Sequence, residues 1–233
     1  KPILMGGLGV QMRAVALNIA FLGVTRATQA IDVSGTAAAA HSVTISLWQL
    51  GGTVLLAWSS VASIIIPNEL AKAKRENKTG MASIANAKFA AERLLSWGLV
   101  LGVVFSILQI ACLPLLTVFT KNKAVQQAAV IPSIIGALLQ IINGVVFIGE
   151  GICQGTQSFN YLAKSTFFAT AGMLTSLKYF GKSLIGVWGS FAVFNGIRLL
   201  AVLRHHFVEG PFGSKNKKIL MKIDQDEQTV AVL

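Results

Sequence analysis

The chain has 233 residues, 54% of them hydrophobic and 12% charged, with a formal net charge of +11. Soluble domains carry about 25% charged residues, so this composition, with a mean hydropathy of +0.66, excludes an ordinary soluble core. The excess of Lys and Arg sits mostly beside apolar spans rather than in one patch. That placement fits membrane orientation and argues against a nucleic-acid partner.

Residues 42–68, 94–120 and 124–149 carry no charged side chain. About 20 apolar residues cross the hydrocarbon core, so each run is long enough, and in lipid such runs are helices because every backbone amide must be bonded internally. In chain order, six transmembrane helices are expected, near 3–31, 41–67, 92–119, 125–152, 158–179 and 183–205. The second is expected to stop at Pro67, and the third carries Pro114 near its end. The fold class is therefore all-α, a polytopic membrane helix bundle over residues 1–207. Residues 208–233 are polar and charged and are expected to form a disordered cytoplasmic tail. Because the chain opens on Lys1 rather than Met, a further amino-terminal part is expected upstream.

Placing the 68–93 loop in the cytoplasm gives fourteen Lys and Arg on that side and five on the other, with Arg13 inside the membrane. Positive-inside bias then puts both ends of this integral multi-pass chain in the cytoplasm. Lys164 and Arg198 count toward the cytoplasmic side in this scheme.

Few residues carry chemistry. Phe180–Ser183 reads FGKS, but Ser176 stands where a phosphate-binding loop needs its first glycine. Cys112 and Cys153 lack metal-ligand spacing and read as packing residues; no metal site is expected. His205 and His206 read as an interfacial anchor. The GxxxG pairs Gly98/Gly102 and Gly151/Gly155 read as helix-packing positions. No catalytic constellation is present, so the chain does not read as an enzyme.

Glu150 stands apart. It closes the charge-free run of IPSIIGALLQIINGVVFIGEG, while the other eight acids lie in loops, at helix ends or in the tail. Asn143 precedes it by seven on nearly the same face, Gln140 lies about a turn further, and Gln154 follows at i+4. An ionisable group at membrane depth marks a cation-coupling or substrate cavity by default; the alternative is a carboxylate reaching interfacial water at its helix end. Arg13 either snorkels to the interface, the simpler reading, or pairs with Glu150. Trp48 is a belt residue or lines the cavity.

The segments AAAAHSVTISLWQLGG, INGVVFIGEGICQGTQSFNYLA and LIGVWGSFAVFNGIRLL resemble, in order and spacing, the second half of multidrug and toxic compound extrusion (MATE) transporters of the DinF-like branch. The resemblance covers roughly residues 1–206. It departs where the family's Asp is Glu150, its Gln after AAH is Ser42, and a second Asp is Ser158. The resemblance implies helices seven to twelve of a twelve-helix, two-lobe transporter with a central cavity. It also implies a partner in the missing amino-terminal lobe, and secondary antiport of a small organic cation or anion driven by H⁺ or Na⁺, with no cofactor. A lipid-linked precursor flippase of the same superfamily, a membrane-embedded enzyme and an inactive half-transporter fragment are the alternatives.

One prediction follows from the charge pattern. Asn77-Lys78-Thr79 is the only glycosylation sequon in the chain, and it lies in the loop assigned to the cytoplasm. Expressed in a eukaryotic host and treated with a glycosidase, the protein should show no mobility shift; a glycan on Asn77 inverts the topology.

Overall fold

The computed structural model describes residues 2–221, with side chains from residue 6 onward. Among these residues the chain is helical throughout, with short connections. In order it forms α1 (Pro2–Gln29), α2 (Thr36–Arg75), α3 (Ala82–Ala111), the short α4 (Leu116–Phe119), α5 (Lys123–Gly155), α6 (Phe159–Phe180) and α7 (Leu184–Arg204). Five stretches are long and apolar enough to cross a membrane: the helices α1, α2, α3 and α5, and the stretch that runs from α7 to Met221. The sixth long helix, α6, has 22 residues. Many large apolar side chains point outward, among them Leu22, Trp97, Ile107, Phe168 and Leu200. A helix apolar on its outer face as well as its inner one is suited to lipid rather than water.

The helix bounds differ from those expected at two prolines. α2 passes through Pro67 and runs to Arg75. A proline removes one intrahelical bond, but neighbouring helices in a membrane bundle make that loss tolerable, and here Pro67 is seated against Gly155 of α5. α3 begins ten residues before its expected start, because Ile84, Ala87 and Ala91 are buried against the neighbouring core. At its other end it stops at Ala111. Pro114 then sits in a 3₁₀ turn, Leu113–Leu115, ahead of α4. In the α1–α2 connection, the Asp32 carboxylate accepts from the amides of Ala37 (2.8 Å) and Thr36 (3.0 Å) and from the Ser34 hydroxyl (2.8 Å). The Ala37 bond first, then the Ser34 bond, hold the Asp32 carboxyl below its ordinary range.

α5 is the axis of the bundle. It packs on α2, α3 and α7, while α6 packs on α1 and α7. Two buried clusters result. One is aromatic, built on Trp48, Trp188, Phe191 and Phe194 with Leu139 and Met173. The other lies toward the opposite end of the bundle and contains Ile66, Ile84, Ile148, Ile152 and Phe212.

Phe212 corrects the expectation of a free tail from residue 208. α7 leads into a π-turn, His205–Glu209, the chain turns back at 210–213, and residues 214–221 are helical. Phe212 is 5% exposed in the second cluster, with Leu220 packed beside it. An aromatic side chain that can reach a helix cleft buries itself, which the polar composition around it concealed. The remaining tail, 222–233, lies outside the described residues.

Glycine sets the closeness of the central contacts. Gly98 and Gly102 face α5, where a Cβ on Gly144 would collide with the Gly98 carbonyl oxygen and one on Gly98 with the Gly144 carbonyl. Helices approach this closely only without side chains between them. Gly144→Val should therefore push α3 off α5 and destabilise the fold by about 1–3 kcal/mol, the usual cost of overpacking. A loss of thermal midpoint in detergent, with Gly189→Val unaffected because nothing lies within 4 Å of a Cβ there, is the expected result.

Candidate functional site

The site lies toward the end of the bundle where α1 begins and α5 and α7 finish. Glu150, on the last turns of α5, is 2% exposed. Its carboxylate is not free and does not reach interfacial water. Arg198 of α7 grips it side-on, Nε donating to Oε1 and Nη2 to Oε2, each at 2.8 Å. Arg13 of α1 donates from Nη2 to Oε2. Three helices thus meet on one carboxylate through three charge-assisted bonds, the strong kind.

Arg198 is held in turn. Its Nη1 donates to Asn195 Oδ1 at 3.1 Å, and Asn195 Nδ2 donates to the Phe191 carbonyl at 3.0 Å. The guanidinium carbon lies 5.0 Å from the Phe194 ring and 5.4 Å from the Phe147 ring, within cation–π range. Arg198 is 4% exposed, so its assignment to the cytoplasmic loop charges is corrected: it turns into the bundle. The cause is an acid waiting at the same level of α5, a partner that no count of loop charges reveals. Arg13 likewise pairs with Glu150 rather than snorkelling, and its side chain stays 19% exposed. The formal charge of the triad is +1.

The polar residues singled out with Glu150 have other partners. Gln140 Nε2 donates to the Trp48 carbonyl (2.7 Å) and to Gln109 Oε1 (3.3 Å). Asn143 is fully buried with neither side-chain atom bonded. Neither touches the carboxylate, because seven residues set Asn143 two turns away, about 10 Å along the axis. Trp48 is no belt residue. It is 6% exposed, edge-on to Trp188 at 6.3 Å and 5.7 Å from the Phe191 ring.

Gln154 is half-buried and lines an open cleft of about 600 Å³ with Val10, Ser63, Pro67, Gln157 and Phe159. Val10 lies one turn before Arg13 and Gln154 one turn after Glu150, so the cleft lies along the helix faces that carry the triad. This volume falls in the range that takes a small organic molecule. Ser158, which replaces a carboxylate of the family pattern, is bonded to His205 Nε2 at 2.9 Å. His205 and His206 are both buried, against Tyr161 and against Phe207 and Phe212 respectively, so they anchor the π-turn to the bundle.

A family model described as MatE matches residues 15–180. Protein DETOXIFICATION 42 of Arabidopsis thaliana is 26% identical over 195 residues, which cover 82% of this chain and 36% of that protein. A solved MOP superfamily transporter from Pyrococcus furiosus has a TM-score of 0.74 at 14% identity, over 89% of this chain and 45% of that one. Its description reports that reverse polarity of its binding pocket suggests a different function. The likeness to that structure concerns the fold. The chain spans less than half the length of either relative.

The triad predicts an unequal pair of substitutions. Arg198→Gln removes two bonds to Glu150 and the Asn195 bond, and should cost about 3–5 kcal/mol, as for a broken buried ion pair. Either change leaves one arginine on Glu150, but Arg13→Gln removes a single bond made by a side chain 19% exposed and should cost clearly less. Thermal unfolding of the purified variants in detergent checks the order; equal losses would show that the two arginines are equivalent.

Proposed function

The chain belongs to the MatE family, and from that premise we propose that it is the carboxy-terminal six-helix lobe of a secondary transporter that moves small organic compounds by alternating access. An amino-terminal lobe completes the central cavity. The coupling ion is H⁺ or Na⁺, no cofactor takes part, and the role is transport rather than catalysis. Both ends of the lobe lie in the cytoplasm on this reading, as the distribution of Lys and Arg favours.

The observation that carries the proposal is the Arg13–Glu150–Arg198 triad beside the Gln154 cleft. Alternating access needs an element with two arrangements whose balance an ion and a substrate can bias. Arg13 is the bond between α1 and the α5–α7 pair at this level. A proton on Glu150 removes the charge that holds Arg13, and α1 is then free to shift against α5. An anionic group of a substrate in the cleft competes with Glu150 for the same guanidinium. The formal charge of +1 favours an organic anion over an organic cation here, because an unpaired buried charge is costly and an anion neutralises it. Arg198, tied also to Asn195 and lying over the Phe147 and Phe194 rings, keeps its place in both arrangements and serves as the fixed side.

The flippase reading fits less well. Its substrate would need room for a long apolar tail beside the charged head, and the cleft of about 600 Å³ is of the size that takes a small organic molecule.

The test is pH-gradient-driven transport by the full-length protein in proteoliposomes, with radiolabelled succinate and tetraphenylphosphonium as anionic and cationic probes. Glu150→Asp should keep most of the coupling, since it retains the acid. Glu150→Gln should lose the dependence on the gradient and fall in stability, because two guanidiniums then face a neutral amide. A Glu150→Gln protein that responds to the gradient as the parent does would place the coupling site elsewhere.

A further inference from the structure

Among the described residues, seven side chains that play no part in the triad carry buried polar atoms with no protein partner; Trp58 and His206 pack with the second cluster, and five lie elsewhere. These five are His41 (Nδ1) and Trp48 (Nε1) on α2, Gln140 (Oε1) and Asn143 (Oδ1 and Nδ2) on α5, and Trp188 (Nε1) on α7. Each is at least nine-tenths buried, and Asn143 and Trp188 are fully so. Four of them are neighbours, and Asn143 follows Gln140 by about one turn of α5. The His41 ring lies 5.8 Å from Trp188, the two tryptophans 6.3 Å apart, and Gln140 is bonded to the Trp48 backbone.

The cluster continues a polar stripe on α5. Ser133 shares a 3.2 Å contact with Thr44, and its carbonyl accepts from Gln109, which is bonded to Gln140. Ser133, Gln140, Asn143 and Glu150 are spaced by seven, three and seven, so they share one helix face. The stripe is about 26 Å long at the α-helical rise, most of the roughly 30 Å hydrocarbon core.

The unpartnered atoms identify what would satisfy them. The two indole N–H groups and Asn143 Nδ2 donate. Gln140 Oε1 and Asn143 Oδ1 accept. His41 Nδ1 does either, according to tautomer. A cation satisfies only the acceptors and an anion only the donors. Water satisfies both, and buried waters sit where several unmet polar groups converge. We propose that the space among His41, Trp48, Gln140, Asn143 and Trp188 is an internal water site, and that its waters relay protons along α5 toward Glu150 from the end of the bundle opposite the Gln154 cleft. Each water takes a proton from one neighbour and passes another on, so no net charge is stored in the apolar core. The relay half of this inference rests on Glu150 being the coupling group; the water site does not.

The test uses the full-length protein, ¹⁵N-labelled at tryptophan and in nanodiscs, with the indole signals of Trp48 and Trp188 assigned by Trp→Phe variants. On transfer to D₂O, both indole N–H groups should exchange at least about tenfold faster than the hydrogen-bonded backbone amides of α5. Asn143→Leu, which removes two unmet polar atoms and keeps the number of side-chain heavy atoms, should keep the fold, slow the indole exchange, and slow gradient-driven transport of whichever probe the parent carries. If the indoles stay as protected as the amides, the site is dry and the proposal is overturned. If they exchange but the Leu variant transports at the parental rate, the relay is overturned. A gradient-independent parent would instead sink the coupling reading at Glu150 and leave the exchange result standing.

Discussion

Everything distinctive about this bundle depends on one carboxylate held by two guanidiniums among three helices. Taking ions of this size out of water costs several kcal/mol each, and their attraction offsets that only with good geometry. The geometry is good here: three N–H donors cover the carboxylate, and Asn195 and two aromatic rings support Arg198. Apolar residues of similar size would join α1, α5 and α7 at least as firmly. A charged joint has a property that an apolar one lacks, because the arrival of a proton or an anion can undo it. That makes the triad a poor choice for rigidity and a good one for a reversible contact between helices.

The rest of the fold places this joint. α5 reaches the centre of the bundle because glycines on α3 and α5 let backbones touch and because Gly151 meets the Ser59 carbonyl of α2. Once α5 is central, any polar residue on its inward face is buried, and Glu150 has to find its partners on α1 and α7. The aromatic cluster at the other end fixes α7 in register, which sets Arg198 level with Glu150. The π-turn after α7, with Phe212 tucked beneath it, closes the same end of the lobe as the triad. The site is thus near one end of the bundle, beside a cleft open to the outside, with the hydrophobic packing behind it.

Charge-free runs in the sequence were sufficient to show that the chain is a helical membrane bundle, because in lipid a long apolar run has no other stable form. The same runs placed the helix centres but not all their ends. α2 passes Pro67, and α3 starts at Ala82 among charged residues. Proline and charge are reliable stop signals only where no neighbouring helix compensates, and α5 and Phe212 supply that compensation here. The isolation of Glu150 in an apolar segment singled it out as a candidate by its cost, beside the alternative of a carboxylate reaching interfacial water.

What tertiary structure decided was who answers that cost. Arg13 read more simply as a snorkelling cation than as a partner of Glu150, and Arg198 as one more cytoplasmic-side charge, since a long basic side chain gives the same sequence signal whether it bends to the interface or turns inward. Gln140 and Asn143 share a face with Glu150, yet seven residues of helix carry Asn143 two turns away, and only the packing of α2 and α7 shows what surrounds it. Sequence determined the solvent and the helical class and singled out Glu150, the one buried acid among the described residues, because those follow from the local free energy of groups in lipid. The partners of that acid, and the polar stripe behind it, depend on which faces of different helices meet, and that is set by close packing across the whole bundle.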